Sequence, residues 1–183
     1  MRKLAGRDQC SLAKPGSRQA IVDQVSHWLQ ASSGDTVTVV DPYFSPGDLE
    51  WIKIIRLAKP NCQITVLTGR NSQPPVPLGS DLLDLYLNEW ARLSDQKPPW
   101  TKIVVVGGES SKKSPIHDRW ILTSKGGLGI GTSLNSIGIS KDSAVSPLSD
   151  SGFSEIAERI DEYLSGRKLE HNGERLRVIS FWL

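Results

Sequence analysis

TVTVVDPYFSPGDLEWIKIIRLAKPNCQITVLT, residues 36–68, carries the clearest succession of strand and helix signals in the chain. Its opening β-branched run indicates a buried strand, and the pair Ser45-Pro46 is typical of the first turn of a helix. Apolar residues at helical spacing continue to about Ala58, and residues 62–68 form a second apolar run. A strand, a helix and a strand at this spacing form a βαβ unit, which predicts parallel strands in one sheet.

The rest of the chain extends this unit into one α/β domain. Further helices are predicted from Ser17 to about residue 31, over 80–90 and over 156–164, and further strands at 102–106, 119–123, 128–132 and 176–182. Residues 136–151 are rich in serine and glycine and are predicted to be irregular. We therefore expect a mixed, largely parallel β-sheet flanked by helices on both faces in residues 17–183, preceded by a tail or arm over residues 1–16.

The composition argues against several classes of protein. The chain has 183 residues and a formal net charge of +2, which is too mild to establish a nucleic-acid partner by itself. Cys10 and Cys62 lack the spacing of a zinc site or a disulfide framework, and this usage suits a reducing cytoplasm. No apolar run approaches the roughly 20 residues that span a bilayer. We expect a soluble, cytoplasmic protein without membrane insertion, metal or cofactor.

The tract from His117 to Asn135 concentrates groups that suit phosphate chemistry. If the residues around Arg119 form a strand, His117 and Arg119 lie on the same face of it. Ser133 and Asn135 share a face by the same alternation, and the predicted hairpin brings the two pairs together. An imidazole can attack phosphorus while a guanidinium and a carboxamide donate hydrogen bonds to the phosphate oxygens. These four side chains predict a catalytic site for a phosphate diester.

This tract resembles the signature of the phospholipase D superfamily, in which H-x-K is followed by four residues, Asp, six residues and G-S-x-N. His117 takes the histidine position, Arg119 the lysine position and Gly131 the glycine position. Ser133 and Asn135 match S-x-N if one extra residue is allowed. The H-D-R variant with G-x-S-L-N is similar to bacterial members in nuclease and phage-defence contexts. The resemblance implies that family's nuclease-like fold and a phosphohistidine intermediate.

Two positions depart from the signature. Arginine replaces lysine at position 119, which keeps the charge and changes its shape, and Ser124 takes the place of the aspartate. Members of the family also use a carboxylate to orient the nucleophilic histidine, as orienting groups generally do. Asp142 is the expected substitute in this chain, and Glu155 is a weaker alternative.

The family pairs two such motifs, so that one histidine attacks and the other protonates the leaving group. The chain has three histidines, and neither His27 nor His171 lies in a second motif. The resemblance therefore implies a homodimer with two copies of His117 facing each other across a two-fold axis. The alternative is that the chain forms half of a larger two-motif assembly.

Residues near the motif are candidates for substrate binding. Lys112 and Lys113 precede it in a polar loop that can attract a nucleic-acid backbone, although simple solvation of this loop is an alternative. Asp41 ends a buried strand, where α/β sites collect, although capping of the strand would also explain it. We expect a metal-independent nuclease acting on nucleic acid, with DNA favoured. A catalytically silent nucleic-acid-binding or assembly module and a lipid phosphodiesterase are the alternatives.

Overall fold

The protein is built on one mixed sheet. The structure is a computed structural model, and it describes residues 10–140 and 142–183. The strands are β1 (Ser11–Ala13), β2 (Thr36–Val40), β3 (Gln63–Gly69), β4 (Thr101–Gly108), β5 (Arg119–Thr123), β6 (Gly126–Ile130), β7 (Ser143–Pro147), β8 (Glu170–His171) and β9 (Glu174–Trp182). The α-helices are α1 (Arg18–Ala31), α2 (Glu50–Ala58), α3 (Leu82–Leu93) and α4 (Asp150–Leu164).

The strand order within the described residues is β1-β7-β6-β5-β2-β3-β4-β9-β8. Parallel pairing occurs between β2 and β3 and between β3 and β4, and the other six pairings are antiparallel. The mixed α/β sheet expected from the sequence is confirmed, with its parallel part confined to the centre. Tight turns join β5 to β6 and β8 to β9, and such turns can connect only antiparallel neighbours.

Helices cover both faces of this sheet. Helices α1, α2 and α3 pack on one face, where Ile121 of β5 is fully buried among their apolar side chains. Helix α4 packs on the other face through Ile160 and Tyr163, against the neighbouring residue Leu122. Successive residues of a strand point to opposite faces, so β5 contributes to both cores. Among the described residues, no helix is long and apolar enough to cross a membrane.

Several element boundaries differ from the sequence prediction. Strand β6 begins and ends two residues earlier than expected, because the turn after β5 uses only two residues. Asp81, and not Ser80, caps α3, since its side chain accepts a hydrogen bond from the backbone N of Asp84 at 2.9 Å. Asp84 returns a hydrogen bond from its carboxylate to the backbone N of Asp81 at 3.0 Å, which completes a capping box.

The prediction of an irregular segment over 136–151 is wrong for residues 143–147, which form β7 and pair with β6. The predicted N-terminal arm also contributes to the sheet, because β1 pairs with β7 in antiparallel register. Residues 1–9 of that arm lie outside the described residues. Both strands are short and contain few large apolar residues, so neither has a strong local signal.

One edge of the sheet contains the ends of the three parallel strands and of their antiparallel neighbours. The parallel strands β2, β3 and β4 end there at Val40, Gly69 and Gly108. Strand β5 is antiparallel to β2 and begins at the same edge, where Arg119 lies opposite Ile130 at the end of β6. Strand β9 also begins there, antiparallel to β4. We call this the carboxyl edge, and the candidate functional residues lie along it.

Candidate active site

A buried carboxylate lies at the centre of the carboxyl edge. Asp41 directly follows β2 and has no exposed surface. Its Oδ2 accepts hydrogen bonds from Ser133 Oγ at 2.7 Å and from Leu134 N at 2.8 Å. Its Oδ1 accepts one from Tyr43 N at 2.9 Å. Hydrogen bonds to a charged acceptor are strong, so this carboxylate joins residues 41–44 to residues 133–135. We call these two segments together the Asp41 junction.

The placement of Asp41 corrects the substrate-binding role expected from the sequence, because an enclosed side chain cannot touch a ligand. The hydrogen bonds of Asp41 fit the alternative interpretation, in which this residue caps the end of the strand. Ser133 is corrected in the same way, since it is only 7% exposed and its hydroxyl donates to Asp41 instead of facing a phosphate. Both residues are buried, and the hydrogen bond between them stabilises the carboxyl edge.

The segment 133–135 is also held from its other side. The carbonyl of Leu134 accepts hydrogen bonds from Trp51 Nε1 at 2.9 Å and from a guanidinium nitrogen of Arg18. The guanidinium carbon of Arg18 lies 4.8 Å from the Trp51 ring centroid, which adds a cation–π contact. Asn135 follows directly and is exposed. A rigid backbone therefore presents the Asn135 carboxamide at the carboxyl edge.

Arg119 is the first residue of β5 and is half-buried. Its guanidinium carbon lies 5.0 Å from the centroid of the Tyr43 ring. Its Nε is buried and has no hydrogen-bond partner among the described residues. A buried donor without a partner is costly, and a phosphate oxygen is an acceptor that matches a guanidinium. The buried Nε of Arg119 therefore still requires an acceptor, and an anion such as a phosphate would supply one.

His117 lies outside β5, which corrects the expected strand arrangement with Arg119. It belongs to the loop 109–118 between β4 and β5, which we call the motif loop. The backbone just before it is anchored, because Ile116 is buried and exchanges hydrogen bonds with Ser114 Oγ at 3.0 and 3.1 Å. The imidazole is exposed and makes no hydrogen bond or ion pair within the described chain. It is therefore accessible to a substrate, and no described residue of its own chain orients it.

The motif loop crosses the ends of β3 and β2 to reach β5. A Cβ at Gly69 would lie 3.0 Å from Ser114 Cβ, so the loop runs directly over the end of β3. Lys112 and Lys113 are exposed on this loop, and Lys112 has a left-handed backbone with φ of 58°. The two lysines are thus accessible at the carboxyl edge, as the expected attraction of a nucleic-acid backbone requires.

Glu174 of β9 holds the start of the motif loop. Its Oε1 accepts hydrogen bonds from the backbone N of Ser110 and Ser111 at 2.9 and 2.8 Å, and its Oε2 accepts one from Ser111 Oγ at 2.6 Å. The hydroxyl of Ser111, followed by the two backbone donors, lowers the pKa of Glu174 below its usual value. Gly108 permits this contact, because a Cβ there would lie 2.3 Å from Glu174 Oε2.

No protein-family model matches the chain, and no curated protein matches it. Among solved structures it is similar to NucT from Helicobacter pylori, with a TM-score of 0.57 and 11% identity over 86% of this chain and 96% of that one. The chain has a phospholipase D-like fold. Nuc from Salmonella typhimurium, a phospholipase D family member, aligns with 92% of this chain and 96% of its own at a TM-score of 0.47 and 14% identity.

The phospholipase D-like fold is also similar to that of TrmBL2, an archaeal chromatin protein whose structure shows a novel mode of DNA binding. That alignment has a TM-score of 0.51 and 10% identity and covers 97% of this chain but 56% of TrmBL2. The nuclease-like fold expected from the sequence is confirmed by the likeness to NucT.

Within this phospholipase D-like fold, the position of the signature aspartate lies far from Arg119 and the other candidate groups at the carboxyl edge. Ser124 is in the turn after β5, at the opposite edge of the sheet from Arg119, and its Oγ donates to the carbonyl of Ser33 at 3.4 Å. Five residues of extended chain separate it from Arg119 by about 15 Å. A carboxylate at position 124 therefore could not touch the groups at the carboxyl edge.

Asp142, the expected orienting carboxylate, directly precedes β7 and is exposed. Strand β6 lies between β5 and β7, so the two backbones are about 10 Å apart. Asp142 forms no hydrogen bond or ion pair with any residue that the structure describes, so it does not orient His117 of its own chain. The weaker alternative, Glu155, lies exposed in the first half of α4.

Two residues of the edge carried no clear signal in the sequence. Tyr43 could have been suspected only because it follows the buried strand β2 so closely. Thr132 directly follows Gly131. Thr132 therefore occupies the serine position of the signature when no extra residue is allowed. It is half-buried, with its Oγ1 3.2 Å from Ser136 Oγ. Across residues 10–140 and 142–183, no three His, Cys, Asp or Glu side chains cluster as a metal site would need.

Proposed function

We propose that the protein is a metal-independent phosphodiesterase that cleaves nucleic acid, with DNA favoured, through a phosphohistidine on His117. The observation that carries the proposal is the proximity, two residues apart at the carboxyl edge, of the exposed His117 imidazole and the Arg119 guanidinium. The Nε of that guanidinium has no hydrogen-bond partner among residues 10–140 and 142–183. The phospholipase D-like fold supports phosphodiester chemistry at the level of the family. The lysines of the motif loop supply attraction for a polyanion.

In the proposed reaction, a ring nitrogen of His117 attacks the phosphorus atom, and the bond from phosphorus to the leaving oxygen breaks. The imidazole of a second copy of His117 gives its proton to that oxygen. Water then attacks phosphorus, the P–N bond breaks, and the second imidazole takes up a proton from the water. Arg119 and Asn135 donate hydrogen bonds to the non-bridging oxygens, where negative charge grows in each transition state.

The second histidine is proposed to come from another copy of the chain. His27 lies on α1 away from the carboxyl edge, and His171 lies in β8, five strand positions from β5. Five strand spacings place β8 about 20 Å or more from β5, which is too far for both imidazoles to touch one phosphate. A two-fold axis near His117 would bring two copies together and let Asp142 of one copy orient His117 of the other.

Cleavage in the presence of a chelator tests this function. We expect the wild-type protein to cut single- or double-stranded DNA in excess EDTA, and His117→Ala to lose at least about a thousandfold in rate, since it lacks the nucleophile. His171→Ala is the matched control, because it removes a histidine from the same edge of the sheet and should keep full activity. Absence of cleavage of DNA and RNA by the wild type, or equal cleavage by His117→Ala, would contradict the proposal.

A catalytically silent DNA-binding module is the second candidate, favoured by the similarity to the chromatin protein TrmBL2. The departure at Ser124 lends it no weight, because that position is remote from Arg119. DNA binding that survives His117→Ala, with no turnover by either protein, would support this candidate. We place either activity in the cytoplasm, since Cys10 and Cys62 are both free thiols.

A further inference from the structure

We propose that Tyr43 is a positioning residue that fixes the plane of the Arg119 guanidinium for phosphate binding. The inference rests on the proposed function for its substrate. The guanidinium carbon lies 5.0 Å from the ring centroid, within the range of a cation–π contact. The ring is 43% exposed, so it is not a core side chain that Arg119 merely covers.

The backbone that carries the Tyr43 ring is held on both sides. Asp41 accepts a hydrogen bond from Tyr43 N, and the residues on both sides of Tyr43 are buried. Both flanking carbonyls are occupied: that of Pro42 by Gly69 N (3.2 Å) and Ser72 Oγ (2.6 Å), and that of Phe44 by Thr68 Oγ1 (2.7 Å) and Gln73 Nε2 (2.9 Å). The backbone of Tyr43 is therefore fixed by the end of β3, which limits the positions that its ring can take beside Arg119.

This contact gives a physical reason for arginine where the family signature has lysine. A guanidinium is planar and presents its N–H donors in a fixed fork, so its orientation decides which oxygens it can reach. Stacking of the guanidinium on the ring would restrain that plane and leave the donors around its rim available. A lysine ammonium is a point charge with freely rotating donors and gains less from such a restraint.

The Asp41 junction links this pair to the other candidate phosphate-binding group. One oxygen of Asp41 accepts from Tyr43 N, and the other accepts from Leu134 N, next to Asn135. One buried side chain therefore fixes both the backbone that carries the Tyr43 ring and the backbone next to Asn135. Tyr43 extends this preorganisation from the core to a group that meets the substrate.

The test compares Tyr43→Phe with Tyr43→Leu, which differ in the aromatic ring but are both apolar. We expect Tyr43→Leu to weaken the binding of inorganic phosphate, measured by calorimetry, about five- to thirtyfold, and Tyr43→Phe to stay within about twofold of wild type. Hydrolysis of bis(p-nitrophenyl) phosphate in EDTA should show the same order, with the loss in kcat/KM. Thermal unfolding midpoints should agree closely, because the ring is partly exposed.

The same substitutions in an Arg119→Lys background separate positioning from direct contact with the ligand. We expect Tyr43→Leu to cost less than about twofold there, because an ammonium has no plane to align. An equal loss in both backgrounds, or no loss in either, would overturn the positioning role. If phosphate binding depends on Tyr43 but no diester is hydrolysed, the proposed function is contradicted and the positioning role is not. If the rate of hydrolysis is unchanged by Tyr43→Leu, the positioning role is contradicted and the proposed function is not.

Discussion

The Asp41 junction and the motif loop both bring candidate groups to the carboxyl edge, but they are held in different ways. The junction is fixed by a fully buried carboxylate that accepts three hydrogen bonds. The motif loop is largely exposed, and Glu174 holds its start from outside the core. The imidazole of His117, in this loop, has no hydrogen-bond partner within the described chain.

This difference separates two tasks, phosphate binding and nucleophilic attack, that the sequence signature combines in one motif. Phosphate-binding groups work best when they are fixed before the substrate arrives, and burial of Asp41 provides that. A nucleophile must be accessible, and the proposed nucleophile, His117, is exposed and has no orienting contact among the described residues. In the proposed mechanism, one chain supplies the groups for the first task, and a second copy completes the second.

The largest effect is expected from breaking the junction. Asp41→Asn replaces a charged acceptor by an amide in front of buried donors, so the free energy of unfolding in urea should fall by about 2–4 kcal/mol at neutral pH. Asp142→Asn is the matched control, because Asp142 is exposed and makes no contact with the described residues, and its stability should change by less than about 0.5 kcal/mol. Equal stabilities of the two variants would show that the junction does not hold the edge.

A smaller effect is expected from releasing the motif loop. Glu174→Gln removes the charge that receives the Ser110 and Ser111 donors, so the hydrogen-exchange protection of these two amides should fall about tenfold. Glu170→Gln, in the same hairpin, should leave the protection unchanged. An unchanged protection in Glu174→Gln would mean that other contacts hold the loop.

The pH dependence of this loop has a definite sign. Because the pKa of Glu174 is lowered in the folded protein, its stabilising effect is present above the usual carboxyl pKa of 4.5 and is lost as the pH falls through the lowered value. Protection of the Ser111 amide, corrected for intrinsic exchange, should therefore fall in acid in the wild type. It should not fall further in Glu174→Gln.

The smallest effect is expected from restoring the signature aspartate. Ser124→Asp places a carboxylate about 15 Å from Arg119, at the opposite edge of the sheet, so the rate of DNA cleavage should change less than about twofold. A tenfold gain in rate would mean that position 124 acts on the site in spite of this distance.

The sequence predicts the elements whose signals are local. The βαβ unit over 36–68 and the hairpin of β5 and β6 follow from apolar periodicity and a turn signal, and both are present. Strand β7 was missed because its residues, SAVSP, are small and end in proline. Its identity as a strand comes from pairing with β6, which local periodicity does not contain.

The candidate site was only partly predictable for the same reason. Asp41 and Ser133 are 92 residues apart, and nothing local in either stretch indicates that they share a hydrogen bond. The contact between Tyr43 and Arg119 likewise appears only once β2 and β5 are paired. Candidate groups that are recognised by residue type could therefore be named from the sequence, while the contacts that support each group required the tertiary structure.

Subunit mixing tests most directly whether the fixed junction of one chain needs the motif loop of another. Wild-type protein and His117→Ala protein are exchanged at constant total concentration, and the rate of DNA cleavage in EDTA is measured against the wild-type fraction. If each site needs two copies of His117, a mixture with one tenth wild type should keep about 1% of the full rate, because activity follows the square of that fraction. A rate of about 10%, in proportion to the wild-type fraction, would contradict the shared site and assign the activity to single chains.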